Sequence, residues 1–329
     1  MTDTAQPAQP AQPAAPPALP MPDLGHTFPG PFAVSPHAHD IERQTTEWLG
    51  AFPLVGSPGK LKALCNITGH GMARTFPTAD REGLFLCADL LLWLTAFDDT
   101  YGEAAGARDP AGLVRRIGEC VHLLAGHGEP PGDTGVFGAA LRDLLARLRE
   151  RAPGTRYLRL TTHLRDNLFG ILWEAHHLDG PDPVGLADYR AMRPHTVFVR
   201  TVMAAAEVAL GYELTERQRE SAALRELESA VADLAGWIND LASYRKEAAH
   251  DGPPPLSLPT LLMRQHACGL DEAFRLASRM CEDRATRAGA LITELTGTGD
   301  GALREHVGAL RSIASSYVWH IEHARYRVS

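Results

Sequence analysis

From Asp40 onward, apolar residues recur every three or four positions, the period of helices with one buried face. The pattern predicts helices over residues 40–50, 80–101, 110–125, 136–152, 155–178, 184–210, 215–248, 269–297 and 302–325. Signals for β-structure are scarce: no Asn-Gly pair marks a hairpin, and no run rich in Val, Ile and Thr alternates between two faces. Glycine and proline clusters separate the helices at GHGEPPGDTG, LDGPDP, HDGPPP and TGTGDG. Many long helices with short connections read as all-α, a single-domain bundle whose functional side chains face inward from opposing helices.

The first 36 residues break the pattern. They hold ten of the 24 prolines, including the repeat AQPAQPAQP. Such a segment is expected to be a disordered tail (residues 1–36), leaving residues 37–329 as the folded domain. Composition narrows the function classes. Apolar residues make up 44% and charged residues 22%, as in soluble globular proteins. A net charge of −8 argues against a nucleic-acid partner, because phosphate backbones need a basic face. The five cysteines (Cys65, Cys87, Cys120, Cys268, Cys281) are scattered without a CxxC pair, which suits a reducing cytoplasm rather than a disulfide framework. No Lys or Arg precedes Arg43, so a signal peptide is not expected. The longest apolar run, Leu90 to Phe97, is far too short to span a membrane. The expectation is a soluble cytoplasmic protein with no membrane partner, and a homodimer is left open.

Two motifs carry chemistry. Asp98-Asp99-Thr100-Tyr101-Gly102-Glu103 follows the apolar run LLLWLTAF. Asp99 and Glu103 are four apart, one turn along a helix face, with Asp98 beside them. Carboxylates at a helix C-terminus face the negative end of the macrodipole, so a bound cation would relieve them, and hard oxygen ligands favour Mg²⁺. The second motif is Asn239-Asp240-Leu241-Ala242-Ser243-Tyr244-Arg245-Lys246-Glu247. Asn239, Ser243 and Glu247 stand at i, i+4 and i+8, so an amide, a hydroxyl and a carboxylate line one face. That set suits Mg²⁺ completed by water and phosphate oxygens, with Lys246 as a flexible cation for a diphosphate. Composition alone would produce the first pattern in roughly one chain in ten and the second in about one in two hundred, so the second carries more weight.

Together, these motifs resemble the aspartate-rich motif and the NSE motif of bacterial class I terpene synthases, in the same order and with the usual separation. Arg193, in YRAMRPHT, lies 46 residues before Asn239, where that family carries its diphosphate-sensing arginine. Arg325-Tyr326 resembles the family's closing Arg-Tyr pair, and ARTFPTADREGLFLCADLLLWLTAFDD resembles the helix pair leading to its first motif. There are departures: the third acid follows Asp98 by five residues rather than four, Pro194 directly follows the sensor, and Val197 stands where many members have a small effector residue.

The resemblance implies three Mg²⁺ ions shared between Asp98, Asp99 and Glu103 on one side and Asn239, Ser243 and Glu247 on the other. It implies that Arg193, Lys246, Arg325 and Tyr326 hold the diphosphate of an isoprenyl substrate, that Thr196 is the linker between sensor and effector, and that Val197 stands at the effector position, both on the substrate-binding side. Ionisation would then be electrostatic and Lewis-acid catalysis in a site that excludes water. Phe76, Trp93, Phe97 and Trp319 are the aromatic candidates for lining a carbocation pocket. Farnesyl diphosphate is the expected substrate, with a diterpene (geranylgeranyl diphosphate) or monoterpene cyclase as the alternative. A prenyltransferase would need a second aspartate-rich motif in place of Asn239…Glu247. A non-catalytic isoprenoid-binding protein would not need both motifs intact.

Overall fold

Helix boundaries follow local capping chemistry in the computed structural model, which describes residues 18–322 apart from 127, 129–132, 179–182, 250–253 and 299. Among the described residues every regular element is helical. The first half contains α1 (Ala38–Ala51), α2 (Pro58–Thr75), α3 (Arg81–Tyr101), α4 (Glu103–Arg108), α5 (Pro110–Ala125), α6 (Gly135–Arg151) and α7 (Thr155–Leu178). The second contains α8 (Leu186–Thr196), α9 (Val199–Leu210), α10 (Glu216–Arg219), α11 (Ala222–Ala248), α12 (Leu258–His266), α13 (Leu270–Thr298) and α14 (Gly301–Glu322). Asp80 and Asp109 cap α3 and α5 by accepting from the backbone N–H of Gly83 (2.8 Å) and Gly112 (3.0 Å). Gly126 and Gly211 end α5 and α9 in the left-handed conformation that a residue without Cβ adopts freely.

The all-α single-domain expectation holds, with local differences. Among them are the short α4, which no expected helix covers, and a break of the helix expected over 215–248 at residues 220–221, between α10 and α11. Helices α2 and α12 were not anticipated, because Gly59, Gly69 and Gly71 dilute the period of the first and HDGPPP obscures the start of the second. The helix expected over 184–210 breaks between α8 and α9. Pro194 lies inside α8, and Phe198 adopts φ 61°, a left-handed conformation that costs a bulky residue on the order of 1–2 kcal/mol. The tail boundary also moves. Leu24 and Phe28 are buried, Leu19 and Met21 pack on the core, and Ser35 N–H donates to Ala73 O at 2.9 Å. Pro20 O accepts from Ser278 Oγ, and Asp23 N–H donates to Glu282 Oε1, which ties this segment to α13. Its apolar residues at 21, 24 and 28 offset the prolines, so the segment covers the bundle rather than trailing from it. Residues 1–17 lie outside the described residues.

Helix α9 runs through the interior, packed against α3, α7, α11 and α14, and nearly all its residues are buried. Its one buried carboxylate, Glu207, accepts from both Arg219 nitrogens at 2.8 and 2.6 Å. Helix α11 packs against α8, α9, α12, α13 and α14, while α3 packs against α1, α2, α6 and α9. The two helices carrying the motifs are therefore held in separate parts of the bundle, joined through α9. A second buried acid, Asp89 on α3, accepts from Gln44 Nε2 (3.0 Å) and Arg147 Nη2 (2.9 Å), linking α1, α3 and α6. Burial pushes its carboxyl up to about 6, against the pull of the Arg147 charge.

Deleting residues 1–36 removes Leu24 and Phe28 from the core and is expected to lower the melting temperature by at least about 5 °C. Deletion of residues 1–17 retains those contacts and should leave the melting temperature near that of the full chain. Equal melting temperatures for the two truncations would contradict the packing of residues 18–36. For Asp89, a folded-state value above the unfolded one means that the native protein binds the proton more tightly. Its contribution to stability is therefore greatest at low pH and is lost as pH rises from about 4 to about 6. Between pH 4.5 and 7.5, Asp89→Asn should gain on the order of 2 kcal/mol of unfolding free energy relative to wild type. Denaturant titrations of both proteins at the two pH values measure that difference, and a constant gap would rule the effect out.

Candidate active site

The first motif sits where α3 gives way to α4. Helix α3 ends at Tyr101, Gly102 is extended (φ −82°, ψ −156°), and Glu103 opens α4. Asp99 and Glu103 are thus not successive turns of one helix, as their spacing suggested. The cause lies at Gly102, where a Cβ would come within 2.2 Å of Asp98 Oδ1 and 2.9 Å of Ile171 Cγ2 on α7. Only glycine lets the chain turn beneath the Asp98 carboxylate. Asp98 is half-buried and Asp99 exposed, whereas the Glu103 side chain lies outside the described residues.

The second motif lies along α11. Asn239 is half-buried, Ser243 buried and Glu247 exposed, so the row climbs from the interior toward solvent, with Lys246 exposed at the same end. Arg193 reaches this row from α8. Its Nη2 donates to Asn239 Oδ1 at 2.8 Å and pairs with Asp240 Oδ1 at 2.7 Å, and its Nη1 donates to Thr196 Oγ1 at 2.9 Å. The contact is close because position 236 is glycine: a Cβ there would meet Arg193 Cγ at 2.7 Å. Burial works against the Arg193 charge, but the Asp240 carboxylate more than offsets it, and the guanidinium pKa lies above its ordinary value.

Asp240 lies within the second motif, directly after Asn239. It is buried, and besides Arg193 it accepts from the Tyr189 hydroxyl and, at 2.6 Å, from the Leu258 backbone N–H. Burial and the neighbouring carboxylate hold Tyr189 in its protonated, donating form. A signal was present: Tyr189 precedes Arg193 by four residues, so both lie on one face of α8. Val197 caps α8 and Thr196 is buried beside Arg193, so both stand at the α8–α9 break.

The four aromatic candidates separate. Trp93 donates its indole N–H to Phe137 O on α6 at 3.0 Å and stacks on Phe97 at 5.3 Å between centroids. Phe97 in turn meets Tyr101 and Phe137, so this group holds α3 against α6. The structure therefore places Trp93 and Phe97 in a helix-packing cluster, on a different face of α3 from Leu94 and Asp98. Phe76 is fully buried at the end of α2. Trp319 on α14 is partly exposed, with the Arg74 guanidinium 4.1 Å from its ring centroid, so a cation of the protein already covers one face. Arg325 and Tyr326 lie outside the described residues.

The donors on α11 fit a hard divalent ion. Ser243 Oγ is buried without a hydrogen-bond partner, a state that normally costs about 1–3 kcal/mol unless a ligand supplies the missing contact. Among the described residues no cluster of three or more His, Cys, Asp or Glu forms a metal site, so the donor set is mixed amide, hydroxyl and carboxylate.

The site sets an oxygen-donor row on α11 beside a buried arginine inside a helical bundle, and comparison with known proteins names the class. Residues 89–287 match the family model for terpene synthase family 2, C-terminal metal binding, and the chain belongs to the bacterial class I terpene synthases. It is 69% identical over 94% of its length, and 96% of the relative's, to a (12E)-labda-8(17),12,14-triene synthase of Streptomyces anulatus. It is 28% identical to a (+)-T-muurolol synthase, described as farnesyl diphosphate cyclizing, of Roseiflexus castenholzii, over 91% of this chain and 92% of that one. In fold it is similar to the crystal structure of the SVS_A2 protein from ancestral sequence reconstruction, with a TM-score of 0.82 at 22% identity, covering 93% of this chain and 91% of that one. The protein is thus a lyase acting on isoprenyl diphosphates.

Gly236→Ala tests the Arg193 geometry without touching a polar group. The new methyl displaces Arg193 from Asn239 and Asp240, while alanine favours the α11 helix by about 1 kcal/mol. Diphosphate release should fall at least about tenfold in a protein that circular dichroism shows to be folded, and Arg193→Lys should lose as much because a lysine cannot bridge the same acceptors. Wild-type rates in both variants would remove Arg193 from the reaction.

Proposed function

We propose that this chain ionises a C20 allylic diphosphate whose two rings are already formed, and releases a labdane-type diterpene. The observation that carries this reading is the 69% identity, along nearly the whole chain, to a relative whose product is a labda-8(17),12,14-triene. In a labdane the two rings lie at the end of the skeleton remote from carbons 12 to 15, where that product has its 12,14-diene. Departure of diphosphate followed by loss of a proton accounts for the diene, with no ring closure at the ionised carbon. The farnesyl diphosphate expected from sequence is less well supported, since the relative described as cyclising it is only 28% identical.

In this reading Asp98, Asp99 and Glu103 on one side and Asn239, Ser243 and Glu247 on the other hold Mg²⁺, three ions in all. The metal, when bound, supplies Lewis-acid stabilisation of charge on the leaving diphosphate. Arg193 turns its guanidinium from Asn239 toward phosphate oxygens, anchored by Asp240 and Thr196, and offers the fork that a tetrahedral anion accepts. Lys246, Arg325 and Tyr326 complete the anion's surroundings. Phe76, Val197 and Trp319 contribute to the apolar wall that excludes water from the cation.

Purified protein with Mg²⁺ should be incubated with geranyl, farnesyl, geranylgeranyl and a bicyclic labdane-type C20 diphosphate, and the hydrocarbons and released diphosphate measured. The bicyclic C20 diphosphate is expected to give the highest kcat/KM, with turnover abolished by EDTA. Faster turnover of farnesyl diphosphate than of either C20 substrate would overturn the C20 reading, and turnover in EDTA would overturn the metal assignment.

A further inference from the structure

Tyr189, Arg190 and Arg193, all on α8, reach across to α11 and end on two different carboxylates. Tyr189 and Arg193 meet Asp240, whereas Arg190 meets Asp233, seven residues earlier on the same face of α11. The Asp233 side chain is buried. Its Oδ2 accepts from Arg284 Nε on α13 at 2.8 Å, and Arg284 Nη2 lies equally close. Arg284 is fixed in turn, since its Nη2 donates to Ser229 Oγ at 3.1 Å. Helix α13 thus holds the Asp233 carboxylate in place for α8. Arg190 Nη2 stands 3.5 Å from Asp233 Oδ2, and its guanidinium lies 5.4 Å from the centroid of the Trp237 ring, one turn further along α11. Trp237 is buried, so ring and carboxylate form a fixed seat for one cation.

This seat sets the register of α8 on α11. Arg190 rests on positions 233 and 237, while Arg193 rests on 236, 239 and 240. Helix α8 has eleven residues, contains Pro194 and ends at the left-handed Phe198, so its own backbone constrains Arg193 weakly. When Arg193 turns from Asn239 toward phosphate oxygens, the hold of α8 on α11 rests more heavily on Tyr189 and Arg190. We infer that Arg190, seated on Asp233 and Trp237, is a positioning residue that fixes where α8 presents the Arg193 guanidinium. The inference rests on the reading of Arg193 as a diphosphate ligand. Arg190 is 46% exposed, and exposed ion pairs add little to stability, so positioning separates here from folding. A misplacement of about 1 Å in an active site can cost on the order of a hundredfold in rate, so a weak contact has a measurable kinetic effect.

The test is a double-mutant cycle on the full chain with Mg²⁺, using the isoprenyl diphosphate that wild type turns over fastest. Wild type, Arg190→Gln, Arg193→Lys and the double variant are compared for kcat/KM, inhibition by inorganic diphosphate and melting temperature. Arg190→Gln is expected to lower kcat/KM at least about fivefold and to weaken inhibition by a similar factor. Its melting temperature should stay within about 2 °C of wild type. In the Arg193→Lys background the same change should cost less than about twofold, because the group it positions is already gone. Arg190→Lys keeps a cation for the seat and should remain within about twofold of wild type. Equal losses from Arg190→Gln in both backgrounds would overturn the inference. A loss in Arg193→Lys with none in Arg190→Gln would overturn it too, and would leave the reading of Arg193 intact. Wild-type kinetics in Arg193→Lys would overturn that reading, and with it the route by which Arg190 acts.

Discussion

A carboxylate withdrawn from water must find donors inside the protein, and Asp240 takes them from three places: the Arg193 guanidinium, the Tyr189 hydroxyl and the Leu258 backbone N–H. The first two belong to α8 and the third to α12, so one side chain on α11 fixes both neighbours. Without it, Arg193 would be a buried charge held by an amide and a hydroxyl alone, and the start of α12 would lose its anchor. The amide of Asn239 and the hydroxyl of Ser243 take their places on the face that this junction immobilises. Gly236 on α11 and Gly102 after α3 work in the same direction, each leaving room for a charged side chain to lie directly against backbone.

Much of this was legible in the chain. The long helices were readable because their ends carry chemistry that needs no tertiary context, such as Asp80 before α3, Asp109-Pro110 before α5 and Gly211 after α9. The row Asn239, Ser243, Glu247 was readable because helical spacing alone places those residues on one face. The separation of Arg193 from Asn239 was informative only through resemblance to a family, and the structure supplies its physical content as a 2.8 Å hydrogen bond.

What sequence could not supply depended on long-range packing. Trp93 and Phe97 are apolar helix residues whether they face a pocket or α6, and only the position of Phe137 decides between the two. The α8–α9 break has no glycine at Val197 or Phe198, and Pro194 was its only local sign. Residues 18–36 read as a tail because proline dominates their composition, although three well-placed apolar residues outweigh it once α13 is available to receive them. The role of Asp240 was hidden because one of its three donors, the Leu258 N–H, is a main-chain group that no sequence motif records.

Helix α3 keeps two functions on two faces. Trp93, Phe97 and Tyr101 fasten it to α6, while Cys87, Leu91 and Leu94 run toward Asp98 on the side facing α2 and α9. Residues on different faces share few partners, so their substitutions should combine nearly additively. For directed evolution, this makes the Cys87–Leu94 stripe a compact target. A library there alters the side of α3 that packs toward α2 and α9 while the aromatic seam keeps the helix in register against α6.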